Sequence, residues 1–261
     1  MERREVIARL AQTKEDEILL ARVYDRIRTA QERGIPGFTC FLTQREQMLA
    51  SELLRGTEFR FFGGPETAER EICCYLPEYL DDTYLTGDES PVAALRAVWQ
   101  DDAPLTHRDV LGSLMGAGIK RETVGDIYVR PGSFDVLVTR EIVPYLLENL
   151  TSAGRSRLHV SRIAISQIAV PEQKTRQIRD TLMTLRLDSV VSSGFSISRG
   201  KAADYLAADK CELNSMPCRK GDRRVQPGDC ITVRGLGKIR LDEVGGTTKK
   251  GRTAVTITRF L

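Results

Sequence analysis

Histidine, tryptophan and paired cysteines are what this chain has least of. Its 261 residues include two histidines, His107 and His159, and one tryptophan. The six cysteines (Cys40, Cys73, Cys74, Cys211, Cys218, Cys230) form no CxxC pair. With so few histidines to join them, no metal site is expected; reduced, partly buried thiols in a cytoplasmic protein are the simpler reading. No apolar run reaches the ~18 residues that suggest a membrane-spanning helix. Met1-Glu2-Arg3-Arg4 is charged and no apolar core follows it, so no secretory signal is expected. Low-complexity tracts and internal repeats are also missing. What is present, 41% hydrophobic and 29% charged residues, suits a folded soluble chain with room for two or three small domains.

The pattern along the chain predicts an α+β protein in three parts. In residues 1–85, Val6, Leu10, Ile18, Ala21, Tyr24 and Ile27 predict one helix over 5–32, ended by Gly34-Ile35-Pro36-Gly37. Phe38–Leu42 leads into a second helix reaching about Leu54. Thr43 is its N-cap, and Glu46, three residues on, completes a capping box. Glu58–Phe62 and Ile72–Leu76 read as strands.

Residues 86–170 have a different rhythm. Strand Val92–Trp99 precedes helix Thr106–Met115, with Thr106 as N-cap. Strands Val124–Arg130 and Phe134–Thr139 flank the turn Pro131-Gly132-Ser133. Helix Glu141–Leu150 and strand Leu158–Ile165 follow. The order βαββαβ is that of the ferredoxin-like fold, shared by RNA-recognition domains.

In residues 171–261, Glu172–Arg179 reads as a linker or lead-in strand. Two short helices follow, Leu185–Val191 and Ser198–Ala208, with Gly194 in the turn between them. Alternating strands come last, at Ile231–Val233, Lys238–Leu241 and Ala254–Ile257.

Charge is distributed unevenly. From Arg186 to Leu261 fifteen Lys and Arg face eight Asp and Glu, a net of +7. The whole chain is +3, which leaves −4 for residues 1–185. A compact domain this lopsided points to a polyanion. Arg186 opens the first short helix. Ser198, Arg199 and Lys201 stand at the start of the second, where the helix dipole also favours phosphate. Lys220, Arg223, Arg224, Arg234 and Lys238 fall on turns and strand ends. Phe195, Tyr205 and Phe260 are too few for base stacking to dominate, so recognition of folded RNA by shape and phosphate is the expectation. Lys249-Lys250-Gly251-Arg252 reads equally well as a solvated turn.

Spaced through this segment are Arg186-Leu187-Asp188, Ser198-Arg199, Ala202, Asn214, Lys220, Gly228-Asp229 and the Arg234-Gly235 that follows Ile231. They resemble the RNA-binding domain of small-subunit ribosomal protein S-four, the αL module. The resemblance implies that Arg186, Ser198, Arg199 and Lys201 lie at the RNA surface and that Asp188 is structural. Leu105-Thr106-His107-Arg108-Asp109, Leu111-Gly112, Gly118-Ile119-Lys120-Arg121, Gly125-Asp126-Ile127, Phe61-Phe62-Gly63-Gly64 and Glu69-Arg70 look like the bacterial YlmH family, over almost the whole chain. That resemblance implies a small N-terminal domain (1–85), an RNA-recognition-like middle domain (86–170) and the S-four-like module (171–261, core 186–261). It also implies binding to large-subunit rRNA, and to tRNA on a stalled large ribosomal subunit, in ribosome-associated quality control. A link to cell division comes with it.

His107-Arg108-Asp109 at a helix start is a cap and local ion pair more often than a catalytic cluster, and no glycine-rich phosphate loop or Asp-Phe-Gly accompanies it. Arg108, Lys120 and Arg121 stand as secondary RNA or ribosome contacts. Arg186-Leu187-Asp188 looks superficially like the catalytic motif of pseudouridine synthases, but residues 189–261 are already used by the RNA-binding module. A third reading is a cell-division adaptor that holds a protein partner through Asp81, Asp82, Asp88, Glu89, Asp101 and Asp102. No nucleophile–base pair, paired carboxylates or cofactor motif stands out, so no catalysis and no cofactor are expected.

Overall fold

The computed structural model describes residues 3–100, 104–248 and 251–261. They divide into two compact units, Met1–Pro171 and Glu172–Leu261.

The first unit opens with helices α1 (Arg3–Leu10) and α2 (Lys14–Arg33), where one helix was expected. Thr13 makes the break. Its hydroxyl accepts the N–H of Asp16, and the Asp16 carboxylate accepts the N–H groups of Thr13 and Gln12. This reciprocal cap satisfies donors that a continuous helix would not have freed. Gly34, left-handed at φ 61°, ends α2. The residues expected to lead into a helix form strand β1 (Gly37–Leu42) instead. Gly37 lies against α2, where a Cβ would sit 2.3 Å from that of Ala30. Thr43 and Glu46 then cap α3 (Gln44–Leu53) as expected. Strands β2 (Arg60–Phe62) and β3 (Glu71–Tyr75) complete an antiparallel sheet of order β1-β3-β2, and the short α4 (Thr83–Thr86) follows.

Further along are β4 (Val92–Val98), α5 (His107–Gly116), β5 (Val124–Arg130), β6 (Ser133–Thr139) and α6 (Val143–Asn149). A hairpin, β7 (Ser152–Ala153) with β8 (Ser156–Arg157), leads into β9 (His159–Ile163). The larger sheet has the order β5-β6-β4-β9, all antiparallel, which is the strand order of the ferredoxin-like arrangement.

Alternation along β4 sends Ala93, Leu95 and Ala97 toward α5 and α6, with Val110, Leu114 and Leu146. Val92 and Ala94 face the other way. With Leu137 they pack on Phe41, Ile72, Cys74, Leu76 and Leu85. The smaller sheet carries α2 on its far face through Val23, Ile27, Leu42 and Cys73. The unit is therefore layered helix, sheet, sheet, helix, and one apolar cluster continues across residue 85, where the sequence suggested a break. Gly125 lets the sheets approach, since a Cβ there would lie 2.6 Å from the Phe41 ring.

The second unit contains β10 (Thr175–Leu182), α7 (Leu187–Phe195), α8 (Arg199–Ala207), β11 (Cys211–Leu213), β12 (Met216–Pro217), β13 (Cys230–Val233), β14 (Gly237–Thr247) and β15 (Thr253–Phe260). The sheet order is β10-β15-β14-β13-β11-β12. Both helices lie on one face of it. Leu187, Val190, Val191, Ala202 and Leu206 meet Ile231, Val233, Ile239, Leu241 and Ile257. Gly194 is not in the turn. It lies within α7, close to Ile239, and Ser196 at φ 54° takes the left-handed position that ends the helix.

Candidate nucleic-acid interface

The second unit gathers six of its cations around the neighbouring N-termini of α7 and α8. Asp188, in the first turn of α7, is buried. Its carboxylate accepts hydrogen bonds from Arg186 at 3.0 and 3.3 Å, from Arg199 at 3.1 and 3.2 Å, and from Ser189 at 3.2 Å. Burial alone would raise its pKa, but the two guanidinium groups outweigh that and hold it below the ordinary carboxylate value. One carboxylate thus orients two arginines, one from each helix.

The loop carrying Lys220, Arg223 and Arg224 is tied to the same place by backbone. Asp188 N–H donates to Gly221 O, Leu187 N–H donates to Arg223 O, and Arg186 and Arg224 form an isolated bridge. Lys220, Arg223 and Arg224 are exposed. Ser198 caps α8 by accepting the N–H of Lys201, whose side chain is also exposed. Asn214 and Asp229 fasten the chain at the start of β13. The Asn214 amide donates to Asp229 at 2.7 Å and accepts from Cys230 N–H at 2.9 Å.

Two of the expected residues lie elsewhere in the unit. Arg234 is exposed at the β13–β14 turn, and its N–H donates to Lys210 O, beyond the C-terminal end of α8. That end is roughly 13 Å along the helix from Arg199 at ~1.5 Å per residue. Lys238 alternates with the buried Ile239 and Leu241, so its side chain is on the sheet face away from the helices. There its ammonium lies 5.6 Å from the Phe260 ring, with the Arg240 guanidinium 5.9 Å from the same ring. Arg252 is half-buried and donates to the Thr181 carbonyl and hydroxyl. Lys249 and Lys250 lie outside the described residues.

In the first unit, Arg108 and Lys120 are exposed and Arg121 is turned inward. Arg121 donates to Val124 O at 2.5 Å and to Gly125 O at 3.3 Å. Beside it Arg70 donates to the carbonyls of Val124, Phe41 and Arg121. Burial, with Arg121 nearby, brings the Arg70 pKa down to about 10. Asp126 accepts the N–H groups of Glu69 and Arg70 at 2.6 and 3.2 Å. Glu69-Arg70, Arg121 and Gly125-Asp126 therefore stitch the two sheets together. Asp109 caps α5 through Thr106, so the His-Arg-Asp triplet contains a helix cap. Burial and Arg121 push the His107 pKa down.

Among the acidic residues, Asp82 pairs with Arg60, Glu89 with Arg140, and Asp81 accepts the Thr83 N–H. Asp101 and Asp102 lie outside the described residues. Burial pushes the thiols of Cys74 and Cys211 up to about 12, which leaves them unreactive at neutral pH. Among the described residues no three His, Cys, Asp or Glu side chains come together as a metal site, and no helix is long and apolar enough to cross a membrane.

RNA binding is supported by a family model that matches the middle of the chain. Residues 100–167 match the family model described as "Putative RNA-binding domain in YlmH", so the chain carries the YlmH-type domain. It is 29% identical over 251 residues to the "Ribosome-associated protein quality control protein P2" of Bacillus subtilis (strain 168), covering 94% of this chain and 96% of that one. A solved structure, cell division protein ylmH from Streptococcus pneumoniae, is 18% identical with a TM-score of 0.49, covering 61% of this chain and 98% of the other.

Proposed function

We propose that this protein is a non-enzymatic RNA-binding factor of the large ribosomal subunit. In this reading it binds large-subunit rRNA and holds peptidyl-tRNA there during quality control of stalled nascent chains. The observation that carries the reading is the convergence of Arg186 and Arg199 on buried Asp188, beside exposed Lys201, Lys220, Arg223 and Arg224. Arginines held by a carboxylate keep their outer N–H groups for phosphate, and their orientation is set before RNA arrives. The near-full-length relative named for ribosome-associated quality control supplies the setting.

The pseudouridine synthase alternative would need the Asp188 carboxylate to reach a substrate. That carboxylate is buried and already accepts from Arg186, Arg199 and Ser189. The adaptor alternative draws on acidic residues of which Asp82 and Glu89 are already in ion pairs.

Sucrose-gradient sedimentation of lysate, with crosslinking to map bound RNA, tests the proposal. The protein is expected with free large subunits that carry tRNA. Its absence from every ribosomal fraction at low and moderate salt would remove the reading. In purified form, Arg186→Ala with Arg199→Ala should weaken RNA binding and make its salt dependence shallower.

A further inference from the structure

RNA-recognition domains stack bases on the sheet face opposite their helices. In this chain much of that face is covered: Val92, Ala94 and Leu137 pack beneath Phe41, Ile72 and Cys74. An RNA-binding domain built this way needs another surface, and the hairpin and edge strand that close it supply one.

From Leu150 to Pro171 the sequence contains no Asp or Glu, yet it contains Arg155, Arg157, His159 and Arg162. The turn at Gly154 and the strands on either side of it give a period-two pattern. Arg155, Arg157, His159 and Ser161 are exposed, while Ser156 and Leu158 are buried and Val160 is half-buried. Successive exposed positions along an extended chain are ~6.6 Å apart. Arg162 adds a further exposed cation. Strand β9 is the edge of its sheet, paired with β4 on one side.

Many other arginines of the unit are engaged by the protein itself. Arg3, Arg45, Arg60, Arg96 and Arg140 pair with carboxylates, and Arg70 and Arg121 with backbone carbonyls. Arg155, Arg157 and Arg162 make no ion pair among the described residues. Charges on an edge strand also discourage sheet-to-sheet association. That purpose is met by either sign, whereas this segment is cationic throughout.

We propose that the β7–β8 hairpin and β9 form a second RNA contact, in which Arg155, Arg157 and Arg162 engage the phosphate backbone. The proposal rests on the RNA-binding reading above and adds to it a surface outside the α7–α8 region. It assigns the hairpin a positioning and affinity role without base readout, because cations on phosphate carry no sequence information directly.

The test uses the full-length protein with two probes: purified bacterial large ribosomal subunits and a fluorescein-labelled hairpin RNA. Affinity is measured across a salt series for wild type and for the triple variant Arg155→Gln/Arg157→Gln/Arg162→Gln. The triple variant should bind about tenfold or more weakly at low salt, with the slope of log K against log salt reduced by about 2. The matching triple Arg→Lys variant should retain most of that slope, since phosphate accepts either cation. A control triple of exposed cations elsewhere in the unit, Arg4→Gln/Lys14→Gln/Arg33→Gln, should change little. An unchanged slope in the Arg→Gln triple overturns the inference. So does a Lys triple as weak as the Gln triple, or a control that loses as much. If Arg199→Gln weakens binding while the hairpin triple does not, the second contact falls and the RNA-binding reading stands. If wild type binds neither probe in a salt-dependent way, both fall together.

Discussion

Each unit has a carboxylate held between two arginines, and the two differ in how deeply they lie. In the first unit Asp135 is fully buried between Arg96 and Arg130, whose side chains are 30% and 22% exposed. It also accepts the N–H of Ala169, and Arg96 reaches Gln167 O. In the second unit Asp188 is held by Arg186 and Arg199, whose side chains are 41% and 55% exposed. The first trio is a clamp: Arg96 donates to the carboxylate and to Gln167 O, and Arg130 pairs with the same carboxylate. The second is a mount, with its donors partly free for a ligand. The same chemistry is enclosed in one unit and leaves its arginines half-exposed in the other.

The strongest way to break this contrast is Asp135→Ala. Removing the carboxylate leaves two largely buried guanidinium groups without their counter-charge, a change that typically costs 3–5 kcal/mol, so a loss of about 3 kcal/mol is expected. Urea unfolding should show it, and a loss below about 1 kcal/mol would mean that Asp135 is no clamp.

A third carboxylate–arginine pair, Asp16 with Arg45, sharpens the contrast by pH. The hydrogen bond from Arg45 leads the causes that bring the Asp16 pKa from 3.8 to about 2; burial opposes it, and the N–H groups of Gln12 and Thr13 assist. A folded-state pKa below the unfolded value gives stability that is present above pH ~4 and lost as pH falls toward ~2, worth about 2 kcal/mol. Acid titration of Asp16→Asn should lack that loss, and an identical acid profile would remove Asp16 as its source.

Asp188→Asn tests the mount. The substitution makes the chain more positive, so a purely electrostatic surface would bind RNA more tightly. If orientation by Asp188 matters, affinity should instead fall about tenfold, equivalent to ~1.4 kcal/mol. Tighter binding would show that Arg186 and Arg199 act as bulk charge. The smallest effect belongs to Ser198→Ala, which removes the cap of α8 and should cost about 1 kcal/mol in thermal unfolding. An unchanged midpoint would mean that the cap is redundant.

Local chemistry was the legible part of this protein. Thr43 with Glu46, Thr106 with Asp109, and Ser198 are helix starts that a few neighbouring residues determine, and the structure has each where the sequence put it. The order βαββαβ was readable because each element has its own periodicity. The same rule was available at Thr13-Lys14-Glu15-Asp16 and was overridden by apolar residues that continue on both sides of it. Gly194 looked like a turn because a glycine's tight contact with Ile239 comes from residues distant in sequence. At the candidate site, Arg186, Asp188 and Arg199 could be named from the chain. That Lys238 faces away from them, and that Arg121 is spent on carbonyls, depends on strand register and layer packing. Arg155, Arg157 and Arg162 were visible as letters, but their exposure along one hairpin and one edge strand depends on the folded sheet.

Strand β10 pairs along its whole length with β15, from Thr175 opposite Phe260 to Leu182 opposite Thr253. Nearly all of the second unit is made between these two strands. During synthesis its sheet therefore cannot close until Thr253–Phe260 has left the exit tunnel, whereas every strand partner in the first unit is present well before then. The cationic surface around Asp188 is therefore completed after the first unit has all of its strands. Non-local pairing of this kind also makes that unit the slower to fold.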